Sequence, residues 1–349
     1  AASGLTLKTQ GVLDNSAGLL QADNVLALTA GSLNNRNTLA NGIAGAGGTT
    51  AGALGLMGQQ VTLNAGSVDN QAGRIGAGQD LGVTTGTLNN AAGNVSSDAN
   101  AKLAFSSLAN SSGALTAGNS LELTTGNLDN DGKIHAGQDL KITADTLTNR
   151  ATGELIAGRN TELNINAMHA TVGLIDGGYV RIGAGTLVNT GRIYGDRIGI
   201  QTPVLINDAN AVIASRGDLD LGVGTLTNRE HALIYAGADL RVGGTLDATG
   251  KATGQAQSLV NESATIEAER NADIAAASIQ NRNLHFASET VEVSRGPKLY
   301  YRLENATEFL DGSKLWLCDA VTTACGKDPV TFLDDDSERR LLLPSDKYP

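Results

Sequence analysis

The two cysteines, Cys318 and Cys325, stand near the C-terminal end of the chain with six residues between them. Two thiols underfill a tetrahedral zinc site, whereas a close pair in an exported chain forms a disulfide. The pair is therefore expected to close a small loop, with two reduced thiols as the alternative. The four histidines, His135, His169, His231 and His285, show no metal-ligand spacing and are expected on the surface or in filler positions. Asp176 and Asp196, with Tyr179 and Arg197 close by in sequence, come nearest to the paired carboxylates that glycosidic cleavage requires. Aspartates in such settings ordinarily form turns. Arg216-Gly217-Asp218 spells an integrin-type tripeptide, but its aspartate is also the aspartate of a recurring Gly-x-Asp-Leu unit. Gly76-Ala77-Gly78-Gln79-Asp80-Leu81 lacks the tandem nine-residue spacing of calcium-binding repeats, and no Gly-Lys-Ser/Thr follows Gly45–Gly48. No catalytic set, cofactor or metal site emerges, and the expectation is a protein that is not an enzyme.

Binding residues give a stronger signal. Phe105 is the sole aromatic before position 179, after which Tyr179, Tyr194, Tyr235, Phe286 and a C-terminal group including Trp316 follow. Tyr194 and Tyr235 each come directly after an isoleucine expected in the core, so strand alternation points them outward. Exposed aromatics concentrate at binding hot spots, although a scattered surface tyrosine needs no explanation. Tyr179, Tyr194, Arg197, Tyr235 and Trp316 are the candidate binding residues.

The element that must carry these residues is a repeat of about 20 residues. Its asparagines fall at Asn15, Asn35, Asn70, Asn90, Asn110, Asn130, Asn149, Asn189, Asn207, Asn228, Asn261 and Asn281, with His169 in the skipped slot. Each unit alternates apolar and polar residues, as in Leu140-Lys141-Ile142, which is the period of a half-buried strand. Short strands carrying Ile134 and Leu128 complete a triangular coil whose corners hold Asn and Gly, residues that tolerate positive φ. Stacked coils would align the asparagines so that their amides hydrogen-bond along a ladder. The expected fold is all-β, a right-handed parallel β-helix over residues 1–292 with a smaller non-repeat segment over 293–349. Inserts are expected at about 37–60 and about 249–260, the second preceded by Leu246-Asp247-Ala248 in the asparagine-corner slot. Degenerate coils are expected from about 170.

The composition fits a thin stacked core. Glycine is abundant at 44 residues while aromatics make up 3%, so small aliphatic side chains must fill the interior. A net charge of −11 argues against nucleic acid, which needs a basic stripe. No apolar stretch approaches the roughly 18 residues of a transmembrane helix, and the opening Ala-Ala-Ser-Gly-Leu-Thr-Leu reads in repeat register without the basic and apolar regions of a signal peptide. A solenoid without evident caps suggests a piece of something longer.

The motif Leu-x-Asn … Gly-x-Ile-x-Ala-Gly-x-Asp-Leu-x-Leu-Thr resembles the repeats of filamentous haemagglutinin and related exoproteins of bacterial two-partner secretion. The resemblance covers residues 1–292. It implies a right-handed β-helical stalk, passed through an outer-membrane two-partner secretion transporter and held at the surface of a Gram-negative cell. Relatives divide into adhesins and toxin-delivering effectors of contact-dependent growth inhibition (CdiA-type). The shift from plain coils to an aromatic, cysteine-bearing end resembles an effector's stalk and receptor-binding region, its partner a target-cell receptor, protein or glycan. An adhesin for host cells or biofilm matrix is the alternative. A polysaccharide-degrading β-helix enzyme is a remote one.

Overall fold

The computed structural model describes residues 2–39 and 52–291, the strand Gly42–Ile43, Thr307 and five short C-terminal strands. The chain divides into two compact units, Ala1–Phe286 and Ala287–Pro349. In the first unit the chain winds as a parallel β-solenoid, each coil pairing with the one before and after it. Leu103 pairs with Val83 and Leu123, and Leu123 with Ile142, so residues about 20 apart in sequence become lateral neighbours.

Three inward columns fill the lumen. The first face contributes pairs such as Leu121 and Leu123, the second Leu88, Leu108, Leu128 and Leu147, and the third Ile75, Val95, Leu115 and Ile134; all are fully buried. Each coil is too thin to exclude water alone, so cohesion comes from stacking apolar columns on one another. Outward positions on the first face form a charge column. Lys102, Glu122, Lys141, Glu162 and Arg181 lie on successive coils, followed by Gly199, Asp220, Arg241 and Asp273. Charges on neighbouring strands alternate in sign, the arrangement that favours cross-strand pairs.

The asparagine column forms the expected ladder. Asn110 Nδ2 donates to Asn130 Oδ1 at 2.8 Å, and Asn90 Nδ2 to Asn110 Oδ1 at 2.9 Å. The chain of bonds runs from Asn15 to Asn149 and again from Asn189 to Asn281. Most of these amides are buried, so each must find partners or incur the cost of an unmade bond. The corner geometry differs from expectation in one respect. The positive φ falls at Ala17, Asn37, Ala72, Ala92 and Ser112, two residues after Asn15, Asn35, Asn70, Asn90 and Asn110, and not at the ladder asparagine itself. The asparagine is there for its amide. The glycine that follows is there for space, since a Cβ on Gly93 would stand 2.5 Å from Asn90 Oδ1.

The slot assigned to His169 also needs correction. Thr171 aligns with Asn149 and Asn189, while His169 aligns with Leu147 and Leu187 in the second lumen column. A bulge at Asn166–Ala167 adds a residue to this strand, which is why counting from the previous asparagine misplaces the slot.

Both inserts are bounded differently from the sequence reading. After the first, the chain is back in register at Gly55, opposite Leu19, and not at 60. Gly42–Ile43 pairs antiparallel with Gly52–Ala53 within this insert. The second lies between Gly243 and Ala256, because Gly243 still pairs with Gly222 and Ala256 already pairs with Ala276. Leu246-Asp247-Ala248 therefore does not occupy an asparagine slot. It belongs to an antiparallel hairpin in which Thr245–Leu246 pairs with Ala252–Thr253, and Leu259-Val260-Asn261 continues the column. The Asp247 carboxylate accepts from Thr249 N and Lys251 N, closing the hairpin tip locally. Apart from Thr171 in the asparagine column, coils beyond 170 are degenerate chiefly on their outer surface, and their strands keep register.

In the second unit Trp316–Asp319 pairs antiparallel with Cys325–Gly326 and with Arg339–Leu342.

Candidate functional site

Two outer features distinguish the coils after Asn160. The first is the hairpin, which lies against the outward side of the first face. Arg197 holds it. The guanidinium sits 4.9 Å from the Tyr179 ring centroid, and Nη2 donates to the carbonyls of Thr249 and Gly250 at 3.1 Å each. Gly250 has φ +77°, and a Cβ there would meet Tyr179 Oη at 2.5 Å, so the hairpin can close over the tyrosine only with glycine at this point. Gln201 Oε1 accepts from Leu246 N at 2.6 Å and anchors the other strand.

Beneath the hairpin lies Asp220, a side chain that alternation directs outward and that the insert buries completely. Its Oδ1 accepts from Ala252 N at 3.0 Å and from Arg241 Nη1 at 3.4 Å, while Oδ2 stands 3.5 Å from Arg197 Nη2. A buried carboxylate of this kind is sustained by its cationic neighbours, and loss of one partner is costly. Asp220 was not singled out in the sequence. The available signal was the run of small outward residues, Gly199, Gly222 and Gly243, around it, which lets a second layer approach.

The candidate binding residues thus fall into separate places. Tyr179 and Arg197 meet under the hairpin. Tyr194 and Tyr235 share one outward column on the third face, with Ala214 between them. Tyr235 Oη donates to Glu269 at 3.0 Å, and that bond holds its phenol above the ordinary range. His135 lies further along the same column, 2.9 Å from Glu154, and burial holds its imidazole below the usual value. Trp316 and the cysteines lie in the second unit. The backbone places Cys318 opposite Cys325 across the antiparallel ladder, and the side chains of all three residues lie outside the described residues.

The integrin-like tripeptide is absorbed by the coil. Arg216 pairs with Asp196 at 2.5 Å, and Asp218 pairs with Arg241 and Arg270. Burial works to raise the Asp218 pKa, but the Asp239 amide and Arg241 outweigh it and hold the group low. Asp176 and Asp196 do not form a matched carboxylate pair. The register Leu174–Arg192 and Ile175–Ile193 carries Asp176 towards Tyr194, whereas Asp196 lies at the following corner, engaged with Arg216. His231 stacks on His285 with centroids 5.6 Å apart. Among the described residues no helix is long and apolar enough to cross a membrane, which says nothing of β-barrels.

The second feature is a change in the outward positions of the second face. In earlier coils these are Thr87, Ser107, Asn127 and Thr146, with Asn89, Ala109, Asp129 and Thr148 beside the corner. The following coils present Met168, Thr186 and Val204, with Ala170, Val188 and Ile206 beside the corner. Met168 is 48% exposed and Val172, at the adjoining corner, 49%. Their exposure brings no gain in burial, so it contributes nothing to the fold.

A protein similar to this chain is the 16S rRNA endonuclease CdiA of Enterobacter cloacae subsp. cloacae, 36% identical over 236 residues. That alignment covers 64% of this chain and 7% of the relative's length. No solved structure matches the chain significantly. The haemagglutinin repeat matches over residues 38–124, 91–167, 148–238 and 222–296, windows that follow the coils described above. The chain belongs to the haemagglutinin-repeat family, as a β-solenoid related to CdiA-like proteins.

Proposed function

We propose that the solenoid is the stalk and receptor-binding region of a secreted contact-dependent growth inhibition effector, and that the coils after Asn160 contact a molecule on the target-cell surface. The observation that carries this reading is the change in outward residues. From Met168 to Ile206 the solenoid presents apolar side chains on one face, and the later coils add a tyrosine column on another face and a hairpin on the third. The similarity to a protein named 16S rRNA endonuclease CdiA supports delivery over simple adhesion. Passage through an outer-membrane two-partner transporter and display on a Gram-negative surface belong to the same proposal. The chain itself is proposed to carry out no catalysis, acting through reach and surface complementarity.

The test is competition. The purified chain should bind susceptible bacteria saturably and protect them from inhibitor cells. A Tyr194→Ser/Tyr235→Ser double variant, or one with Met168, Val188 and Val204 changed to threonine, should bind at least tenfold more weakly. Saturable binding to host cells or matrix, with none to bacteria, would instead establish the adhesin reading. No saturable binding to any of these surfaces would defeat both.

A further inference from the structure

The coil running from Asn160 to Gly178 departs from its neighbours on the first face, in the second column and in the asparagine ladder, while Ile175 continues the third column. Thr161 replaces the leucine of the first face, aligned with Leu140 and Val180, and its hydroxyl donates to the Asp176 carbonyl at 2.8 Å. Thr171 replaces the ladder asparagine, and the bond from Asn149 Nδ2 lengthens to 3.3 Å before the ladder restarts at Asn189. His169 replaces the second-face leucine, completely buried, and neither ring nitrogen has a hydrogen-bond partner. A buried polar ring without partners costs stability wherever it occurs. Here it coincides with a broken ladder and a bulge.

No charge compensates the ring. On one flanking strand Asp139, Lys141 and Asp145 face outward, and on the other Tyr179 and Arg181 do. Glu162 on its own strand and Glu154 and Asp176 on the third face are likewise outside the lumen. The surrounding interior is aliphatic. Burial accordingly pushes the His169 imidazole down from 6.5 to about 3.

We infer that this coil is an acid-sensitive joint: the solenoid opens locally at Asn160–Gly178 when the medium acidifies, because His169 takes up a proton only in the opened coil. The coils on either side, each with an unbroken asparagine ladder, stay closed. The closed form binds fewer protons than the open one between the two pKa values. Closure is therefore fully stable above the opened-state pKa and weakens as pH falls below it. This inference concerns the core and does not rest on the proposed receptor-binding role.

Amide hydrogen exchange on the full chain, corrected for intrinsic exchange, tests it. Between about pH 7.5 and about pH 5, where most carboxylates remain ionised, the opening constant of strand Asn160–Thr171 should rise about 30-fold. That of strand Leu121–Ala136 should change less than about threefold. His169→Leu should abolish the rise. His169→Gln, a neutral polar substitute, should loosen the coil equally at both pH values, which keeps the test decisive if one variant folds poorly. A rise below about fivefold in the native chain, or the same rise in either variant, would overturn the inference.

Discussion

Between Gln60 and Asn149 every coil carries leucine or valine in the second lumen column and an asparagine two residues later, with mostly threonine, serine, asparagine and aspartate outward on that face. Between Asn160 and Arg282 the same columns persist, but one coil holds Thr161, His169 and Thr171 inside. Outside, methionine, valine, isoleucine and tyrosine appear, and a hairpin covers one face. The fold tolerates this because outward side chains contribute little to a stacked core. The lesson is that a solenoid separates two selective pressures by strand parity. Inward positions answer to stacking, and outward positions are free to answer to a partner.

The sharpest way to break the comparison is to import the later coil's defect into an earlier one. Leu128→His puts an unpartnered imidazole into the second column and should cost about 3 kcal/mol near neutral pH, growing as pH falls. Urea unfolding at two pH values checks it, and an unchanged midpoint would mean the column does not depend on apolar packing. Next in size, Arg197→Ala removes a partner of buried Asp220 and the clamp on the hairpin, at about 2 kcal/mol. Exchange in 245–253 should accelerate while Gln60–Asn149 is unaffected.

A substitution can also erase the difference. Thr171-Val172-Gly173 has the same spacing as Asn130-Asp131-Gly132 and Asn189-Thr190-Gly191, so Thr171→Asn fits an existing corner type. It should join the two ladders and stabilise the chain by about 1 kcal/mol, read as a raised urea midpoint. A lowered midpoint would show that the break is structurally required. The smallest effect belongs to the charge column. Lys102 and Glu122 lie 3.3 Å apart with side chains 76% and 48% exposed, and Lys102→Ala should cost no more than about 0.5 kcal/mol. A larger loss would make that column a partner in stability with the lumen.

Much of this was legible because the repeat is periodic. Leu-x-Asn recurrence specified which side chains point inward and which coils are neighbours, and Tyr194 and Tyr235 were placed correctly in one outward column. Counting failed where the chain adds residues. The bulge at Asn166–Ala167 moved His169 out of the asparagine slot and into the lumen, and Leu246-Asp247-Ala248 mimicked a corner while folding as a hairpin. Positive φ was expected at asparagine because its type tolerates it, yet the corner puts that conformation two residues later, mostly on alanine and serine.

The amino-acid order by itself determined the coil, its inward columns and its asparagine file, since alternation within a strand and recurrence between strands are local properties of the chain. Only the tertiary structure decided that Asp220 is buried, that Arg197 serves the hairpin and that His169 stands alone among aliphatic side chains. Those outcomes depend on which surface an insert covers and on where an extra residue is absorbed. Both are settled when coils stack, and neither leaves a periodic mark.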